Sequence, residues 1–304
     1  MAHAAEALSL NRDFDPLTGA LVPVAAGIAR VTAPNRGPFT FTGTNSFLVG
    51  TERLIVIDPG PRDKQHLKAL LAAIGGRPVE AILLTHTHRD HAGLARRLKK
   101  KTGAPIWFGG RHQWSRPARW HEAMALRGAA DWRLLPDRVL KDGDGIGIDG
   151  MTLGVLETPG HCANHLSYSV LGTPYLFTGD HVMGWNSTLV APPDGAMGAY
   201  LKSLEKVIVA PYSHYLPAHG GPIAEGRKFA RGLLAHREER NREILLGISS
   251  GADTVGKLVS RIYQDIGPKL RGAARLTVEA HLEYLMARHE ISLRQAGLGA
   301  RYRR

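Results

Sequence analysis

A chain of 304 residues, 43% of them hydrophobic, is long enough to bury a full core and to carry one or two domains, and its composition excludes wholesale disorder. No apolar run approaches membrane-spanning length, Met1 to Leu10 lacks the basic-then-apolar order of a secretory signal, and one cysteine excludes an internal disulfide; a cytoplasmic protein with no membrane partner is expected. Of the formal net charge of +12, residues 226–304 supply +8 (16 Lys/Arg against 8 Asp/Glu), a balance that attracts polyanions and equally serves ordinary solubility.

Residues 1–20 read as a leader with a turn at Asp15-Pro16. Strands are expected from Leu21, through Phe39-Thr40-Phe41, and then as a pair, Gly43 to Gly50 and Arg53 to Asp58. Asp63 to Ile74 places Leu67, Leu70, Leu71 and Ile74 on one helical face, and Gly75-Gly76 stops it. Val79 to Leu84 predicts a buried strand. His91 to Lys101 predicts a helix whose Lys99-Lys100-Lys101 complement the negative end of its dipole. Pro105 to Phe108 is the next strand. Residues 111–137 interleave Trp114, Trp120 and Trp132 with arginines; packing as a lid is favoured over stacking on bases. Asp142-Gly143-Asp144-Gly145 predicts a hairpin turn.

Strands follow at Thr152 to Leu156, Leu166 to Val170 and Thr173 to Leu176, with a helix from Tyr200 to Ile208. Ala191 to Gly195 would lie over a site, and Tyr212 and His214 could line it. Pro222 to Gly247 reads as one long charged helix. Asp253-Thr254 caps a second, containing Val255, Leu258, Val259 and Ile262, and Pro268 opens a third. Ile291-Ser292-Leu293 suggests a short strand before a tail of Arg301, Arg303 and Arg304.

The chain is organised around Thr85-His86-Thr87-His88-Arg89-Asp90-His91, between the apolar runs Ala81 to Leu84 and Ala92 to Ala95. A buried strand ending in a polar turn puts these side chains at one strand end, where open α/β sheets bind ligands. His86, His88 and Asp90 alternate, so an extended backbone points them the same way. Neutral imidazoles with a carboxylate suit zinc or another borderline divalent ion. A polar loop with satisfied histidines would leave this crowding without a reason. Three later turns, each after an apolar segment, carry one further metal-competent side chain: His161 in Thr158-Pro159-Gly160-His161, Asp180 in Phe177-Thr178-Gly179-Asp180, and His219 in Leu216-Pro217-Ala218-His219-Gly220-Gly221.

In this order the segments resemble the metallo-β-lactamase superfamily, over roughly residues 20–225. The resemblance implies an α/β fold, an αββα sandwich. It implies that His86, His88 and His161 hold a first metal, that Asp90, His91 and His219 hold a second, and that Asp180 bridges them. Asp58 would sit beneath the metal loop. His165 is a candidate for leaving-group or phosphate contact, against a structural hydrogen bond; His181 is expected to point away, and Cys162 to be a packed small residue. The C-terminal helices followed by a strand resemble the small winged-helix domain of lactamase-β-like protein 2 relatives. The expected division is a leader (1–20), the metallo-β-lactamase domain (21–225), a linker helix (226–248) and a winged-helix-like C-terminal domain (249–304). Glu279 and Glu283 on its third helix repel phosphate, so that helix is expected to form a pocket wall or a homodimer contact, not to read duplex DNA.

Two ions, most simply zinc, about 3.5–4 Å apart would hold a hydroxide for attack on a carbonyl or phosphoryl centre. Asp90 and Asp180 would keep both ions bound, Asp90 also handling a proton. The resemblance implies a hydrolase acting as an endoribonuclease on single-stranded RNA. A thioester, lactone or β-lactam hydrolase of the glyoxalase II-like type, acting on a small ester-type substrate, is the second reading. A nucleic-acid-binding regulator with an idle metal site is the third.

Overall fold

A computed structural model describes residues 8–264, 266–295 and 299–304; residues 1–7 of the expected leader lie outside them. β1 (Leu21–Ala25), β2 (Ile28–Thr32), β3 (Asn45–Val49) and β4 (Leu54–Ile57) form an antiparallel meander, extended in parallel by β5 (Val79–Leu83), β6 (Ile106–Phe108) and β7 (Arg138–Val139). α1 (Lys64–Ile74), capped by the Asp63 carboxylate, connects β4 to β5. α2 (Arg89–Ala92) and α3 (Ala95–Thr102) follow β5, and α4 (Trp120–Leu126) follows β6. β8 (Gly145–Ile148), β9 (Met151–Glu157), β10 (Leu166–Val170), β11 (Tyr175–Gly179) and β12 (His214–Pro217) make a second sheet in the order β12-β11-β10-β9-β8. Only β11 and β12 run parallel in it, with α5 (Met197–Val209) between them in sequence.

The period-two alternation of strands explains why these segments are apolar on both faces. Leu54 and Val56 of β4 face α1 and α3, whereas Ile55 and Ile57 face the second sheet. β11 and β12 mirror this: Phe177 and Leu216 point to the inter-sheet core, and Leu176 and Tyr215 to α5 and the next helix. Two sheets with helices outside them give the αββα sandwich. Burying Ile55 and Ile57 stabilises by roughly 1.5–3 kcal/mol each. A surface ion pair gives at most about 1 kcal/mol, so the core fixes where β4 delivers Asp58.

α6 (Gly226–Ser249) crosses from the sandwich to the C-terminal unit of α7 (Val255–Ile262), α8 (Arg271–Ala287) and the hairpin of β13 (Ser292–Gln295) and β14 (Arg301–Arg303). Ile244 and Ile248 of α6 join Leu258, Val278, Leu282 and Leu285 in one cluster. No helix among the described residues is long and apolar enough to cross a membrane.

Several local expectations differ from the fold. Phe39 to Phe41 is a turn, with Phe41 at φ 53°, where no strand can continue. The helix expected from His91 to Lys101 is broken at Gly93, whose site for a Cβ lies 2.6 Å from Arg62 N, so the chain bends to pass the loop after Asp58. Asp142 to Gly145 carries the chain from one sheet to the other; the hairpin turns instead at Asp149-Gly150, between β8 and β9. α6 begins at Gly226, because Ile223 first pairs with Tyr215.

Candidate metal centre

β4, β5, β9, β11 and β12 all end at one edge of the sandwich, and each releases a loop there. Backbone bonds tie the sheets together at this edge: Asn45 N donates to Ala218 O at 2.7 Å and Leu166 N to Thr85 O at 2.7 Å. The Asn45 side chain donates to Pro217 O (3.0 Å) and Gly220 O (2.8 Å), bracketing His219. At Gly179, φ 51°, a Cβ would lie 2.7 Å from His165 Nε2 and 2.8 Å from Thr85 Oγ1. Only glycine lets β11 come close enough to place Asp180 beside the β5 loop.

Seven side chains meet at this edge. His86 Nε2 and His161 Nε2 each lie 3.0 Å from His88 Nδ1. Asp180 Oδ1 lies 3.5 Å from His91 Nε2 and 3.3 Å from His219 Nε2, while its Oδ2 lies 3.6 Å from His161 Nε2. Asp90 Oδ2 lies 3.3 Å from His219 Nε2 and 3.6 Å from His91 Nε2. Three groups result that could each hold an ion: His86, His88 and His161; His86, His91 and Asp180; and Asp90, His91 and His219.

The outer atoms of these side chains decide what faces inward. Asp58 Oδ2 accepts from Thr85 Oγ1 at 2.7 Å and from His91 Nδ1 at 2.9 Å, and its Oδ1 accepts from Thr85 N at 2.8 Å. With its proton on Asp58, the Thr85 hydroxyl accepts from His86 Nδ1 at 3.0 Å. His161 donates through Nδ1 to Leu189 O (2.8 Å), His219 through Nδ1 to Gly43 O (3.2 Å) and His88 through Nε2 to Asp194 Oδ2 (2.7 Å). Each imidazole spends its proton outward and turns a bare nitrogen inward, as metal-binding histidines do. His91 Nε2, His219 Nε2 and Asp180 Oδ1 are buried with no hydrogen-bond partner. Two orphaned nitrogens within 3.5 Å of an orphaned carboxylate oxygen are costly unless a cation sits among them. The residues present therefore fit divalent metal.

Electrostatics agree. Burial, then the neighbouring imidazoles, hold His86 well below the ordinary histidine range, which keeps it neutral and able to serve as a ligand. Burial likewise lowers His161. Burial opposes charge on His91 and His219 too, but Asp90 and Asp180 outweigh it, raising His91 well above its ordinary value and His219 to about 9. The carboxylates thus draw positive charge to the centre, which a divalent ion would supply instead of protons.

The family profile described as Metallo-beta-lactamase superfamily matches residues 39–219. The chain belongs to the metallo-beta-lactamase superfamily. A second profile, Beta-lactamase associated winged helix domain, matches residues 254–292. Relatives include a Beta-lactamase-like protein 2 homolog of Caenorhabditis elegans, 28% identical over 85% of this chain and 83% of its own length. An Atrochrysone carboxyl ACP thioesterase of Aspergillus fumigatus is 28% identical over 78% of this chain and 73% of its own. The fold is similar to that of a Beta-lactamase domain protein from Burkholderia ambifaria, TM-score 0.80 at 23% identity, over 96% of this chain and 95% of that one. The chain is thus a hydrolase of this superfamily, whose fold typically binds metal ions, with a winged-helix domain and a His/Asp cluster that could hold metal.

Around this edge the structure places the remaining candidates: His181, Cys162 and much of the 111–137 insertion pack as expected, whereas His165, Tyr212 and His214 do not line the open side. His165 is not turned to the open side: it is 1% exposed, lies against Thr158 Oγ1 through Nδ1 (2.9 Å), and accepts the backbone N–H of Asp180 at Nε2 (3.2 Å). Burial pushes its pKa well down, which keeps that acceptor bare. His181 is fully buried against the Tyr200 ring, 5.0 Å away. Cys162 is buried and donates weakly to Asn164 Oδ1 at 3.4 Å. Tyr212 and His214 lie at the start of β12, the strand end opposite His219, so neither lines the centre. In the 111–137 insertion, His112, Trp114 and Trp132 pack together, with ring centroids 4.3 Å apart for His112–Trp132, whereas Trp120 is 79% exposed. The insertion reaches the C-terminal unit through Arg116, whose Nη2 lies 2.6 Å from Glu283 and 2.8 Å from Glu122.

Sequence reasoning missed Asp194. Its Oδ2 takes His88 and its Oδ1 lies 3.2 Å from His112 Nε2, so one carboxylate orients the His88 ring and ties down the insertion. The only cue was its place in the Pro192-Pro193-Asp194-Gly195 loop.

Proposed function

We propose that this chain is a binuclear metallohydrolase, with His86, His88 and His161 holding one divalent ion, Asp90, His91 and His219 a second, and Asp180 shared between them. The observation that carries this is the outward anchoring of all five imidazoles with bare nitrogens inward, around a carboxylate whose two oxygens face different histidines. Zinc suits this nitrogen and oxygen donor set. Ions bound here would supply Lewis acidity and a water deprotonated near neutral pH. Asp90, whose side chain is 29% exposed against 9% for Asp180, is placed to receive a proton at the open side. Asp58, Asp194, Leu189 O and Gly43 O keep the ligand tautomers. His165 holds the backbone of Asp180.

For the substrate we favour an ester or thioester. A relative aligned over 73% of its own length is named an Atrochrysone carboxyl ACP thioesterase. A cleft of about 490 Å³, lined by Arg12, Phe14, Arg36, Phe41 and Thr42, adjoins the His219 loop, in the size range of small-molecule sites. Its aromatic wall continues into Trp185, stacked on Phe41 at 4.9 Å. Single-stranded RNA is the second reading, supported by the net charge of +12 and the two arginines in that cleft. The regulator reading fares worse, since α8 buries Val278, His281, Leu282 and Leu285 and engages Glu283 with Arg116. Metal-replete protein should be assayed on a matched panel of thioester, lactone, β-lactam and single-stranded RNA. Thioester or ester turnover should exceed β-lactam turnover. RNA cleavage exceeding every acyl substrate would reverse our preference, and no turnover on the whole panel would remove the hydrolase assignment.

A further inference from the structure

We infer that Arg237, on the helix that joins the sandwich to the C-terminal unit, is a positioning residue for His161, one of the first ion's histidines; the inference rests on the binuclear reading above. Arg237 is 1% exposed, and among the described residues no carboxylate pairs with it. A buried cation without a counter-ion destabilises a fold unless its N–H groups find other partners. Its partners here all lead to one loop. Nη2 donates to Thr188 O. The guanidinium carbon lies 5.3 Å from the Tyr200 ring centroid, and Tyr200 OH donates to His181 O at 3.1 Å. Thr188 Oγ1 donates to Asp180 O at 2.7 Å and lies 3.1 Å from His181 O.

The next carbonyl in the chain, Leu189 O, takes the Nδ1 proton of His161. Residues 180–189 therefore form a closed loop with three fixed points. The Thr188 hydroxyl returns to Asp180, Tyr200 holds His181, and Arg237 holds the carbonyl of Thr188. That carbonyl belongs to the peptide joining Thr188 to Leu189. Leu189 O lies on the next peptide, hinged to that one at the Leu189 Cα; with Thr188 O released, the backbone at Leu189 is free to turn, Leu189 O leaves His161 Nδ1, and the tautomer that turns His161 Nε2 inward is no longer selected. Arg237 thus acts through two backbone carbonyls on a ligand that it does not touch. The second ion's histidines, His91 and His219, hang instead on Asp58 and Gly43 O, outside this loop.

The test is metal affinity, read by chelator competition on full-length protein, with the visible spectrum of the cobalt-loaded form as a report on ligand geometry. Arg237→Met, checked for native circular dichroism, should weaken the first ion about 10–100-fold and the second ion less. Arg237→Lys should recover part of the loss, since an ammonium can reach Thr188 O but lacks the planar face for Tyr200. Thr188→Val should reproduce the effect, and Thr188→Ser should not. A folded Arg237→Met protein with wild-type affinity for the first ion and an unchanged cobalt spectrum overturns the inference. Equal weakening of both ions overturns it too, as that marks a general structural loss. If Arg237→Met does not fold, the Thr188 pair decides: equal first-ion affinity in Thr188→Val and Thr188→Ser refutes the coupling. Wild-type protein that takes up only one ion would refute the binuclear reading itself, a result these variants do not produce.

Discussion

The two halves of the proposed centre are held by different parts of the molecule. His91 and His219 are fully buried, and their outer nitrogens rest on Asp58, at the end of β4, and on Gly43 O, just before β3. Both supports are extensions of the inter-sheet core. His88 and His161 keep 13% and 10% of their side-chain surface, and their supports, Asp194 and Leu189 O, come from one loop far along the chain. One half inherits its rigidity from the sheets. The other depends on a loop that is itself pinned by side chains. The same chemistry, a histidine with its outer N–H anchored, is thus built with unequal mechanical backing.

Removing the shared group should erase the difference. Asp180→Asn should bring elemental analysis below one ion per chain and lower turnover by at least about 10²–10³-fold, the range seen when one charge-stabilising group is lost; two retained ions would exclude Asp180 as the bridge. His219→Ala should expose the difference, because the second ion is lost while the first stays; loss of both would mean that the halves do not bind separately. Asp194→Asn and Asp58→Asn sharpen the comparison further. Each should weaken binding by about 10–100-fold, Asp194→Asn at the first ion through His88, and Asp58→Asn mainly at the second through His91, with a smaller loss at the first because Thr85 relays Asp58 to His86. Reversed or identical patterns would show that the anchors are not specific to their halves.

The smallest effect concerns the edge of the loop-supported half, where Arg116 joins the insertion to α8. Hydrogen bonding from Arg116 holds the Glu122 pKa at about 2, against an ordinary 4.5. A depressed carboxylate stabilises fully above its unfolded pKa and loses that contribution as pH falls through the folded one. Wild-type protein should therefore lose stability relative to Arg116→Met between about pH 4.5 and pH 2. Solvent screening limits the difference to roughly 1 kcal/mol. Parallel melting curves for the two proteins across that range would show that the bridge contributes nothing.

The sheet-supported half was legible in the sequence because its parts are local or strongly patterned. Asp90 and His91 follow a four-residue apolar run, and Asp58 closes a strand that is apolar at every position. The loop-supported half was legible only as ligands. His88 and Asp194 lie 106 residues apart, and nothing in Pro192-Pro193-Asp194-Gly195 reports which imidazole the carboxylate meets. His165 was left between substrate contact and a structural hydrogen bond for a related reason; the structure gives it the hydrogen bonds, to Thr158 Oγ1 and from Asp180 N. Alternation along β10 gives a side chain's face, but the close approach of Gly179, which closes the space around His165, is a property of the two sheets together. The break at Gly93 and the crossing at Asp142 were hidden likewise, since each answers to a neighbour distant in sequence.

The packing of the insertion has a practical consequence. Trp114 and Trp132 sit with ring centroids 4.4 Å apart, and both rings contact His112. His112 shares the Asp194 carboxylate with His88. Two indoles are thereby wired, through one imidazole and one carboxylate, to the outer nitrogen of His88. Intrinsic fluorescence excited in these rings becomes a label-free optical gauge of the centre: emission should shift as the first ion enters, cobalt should quench it where zinc does not, and stopped-flow mixing would follow loading in real time without a chromogenic substrate.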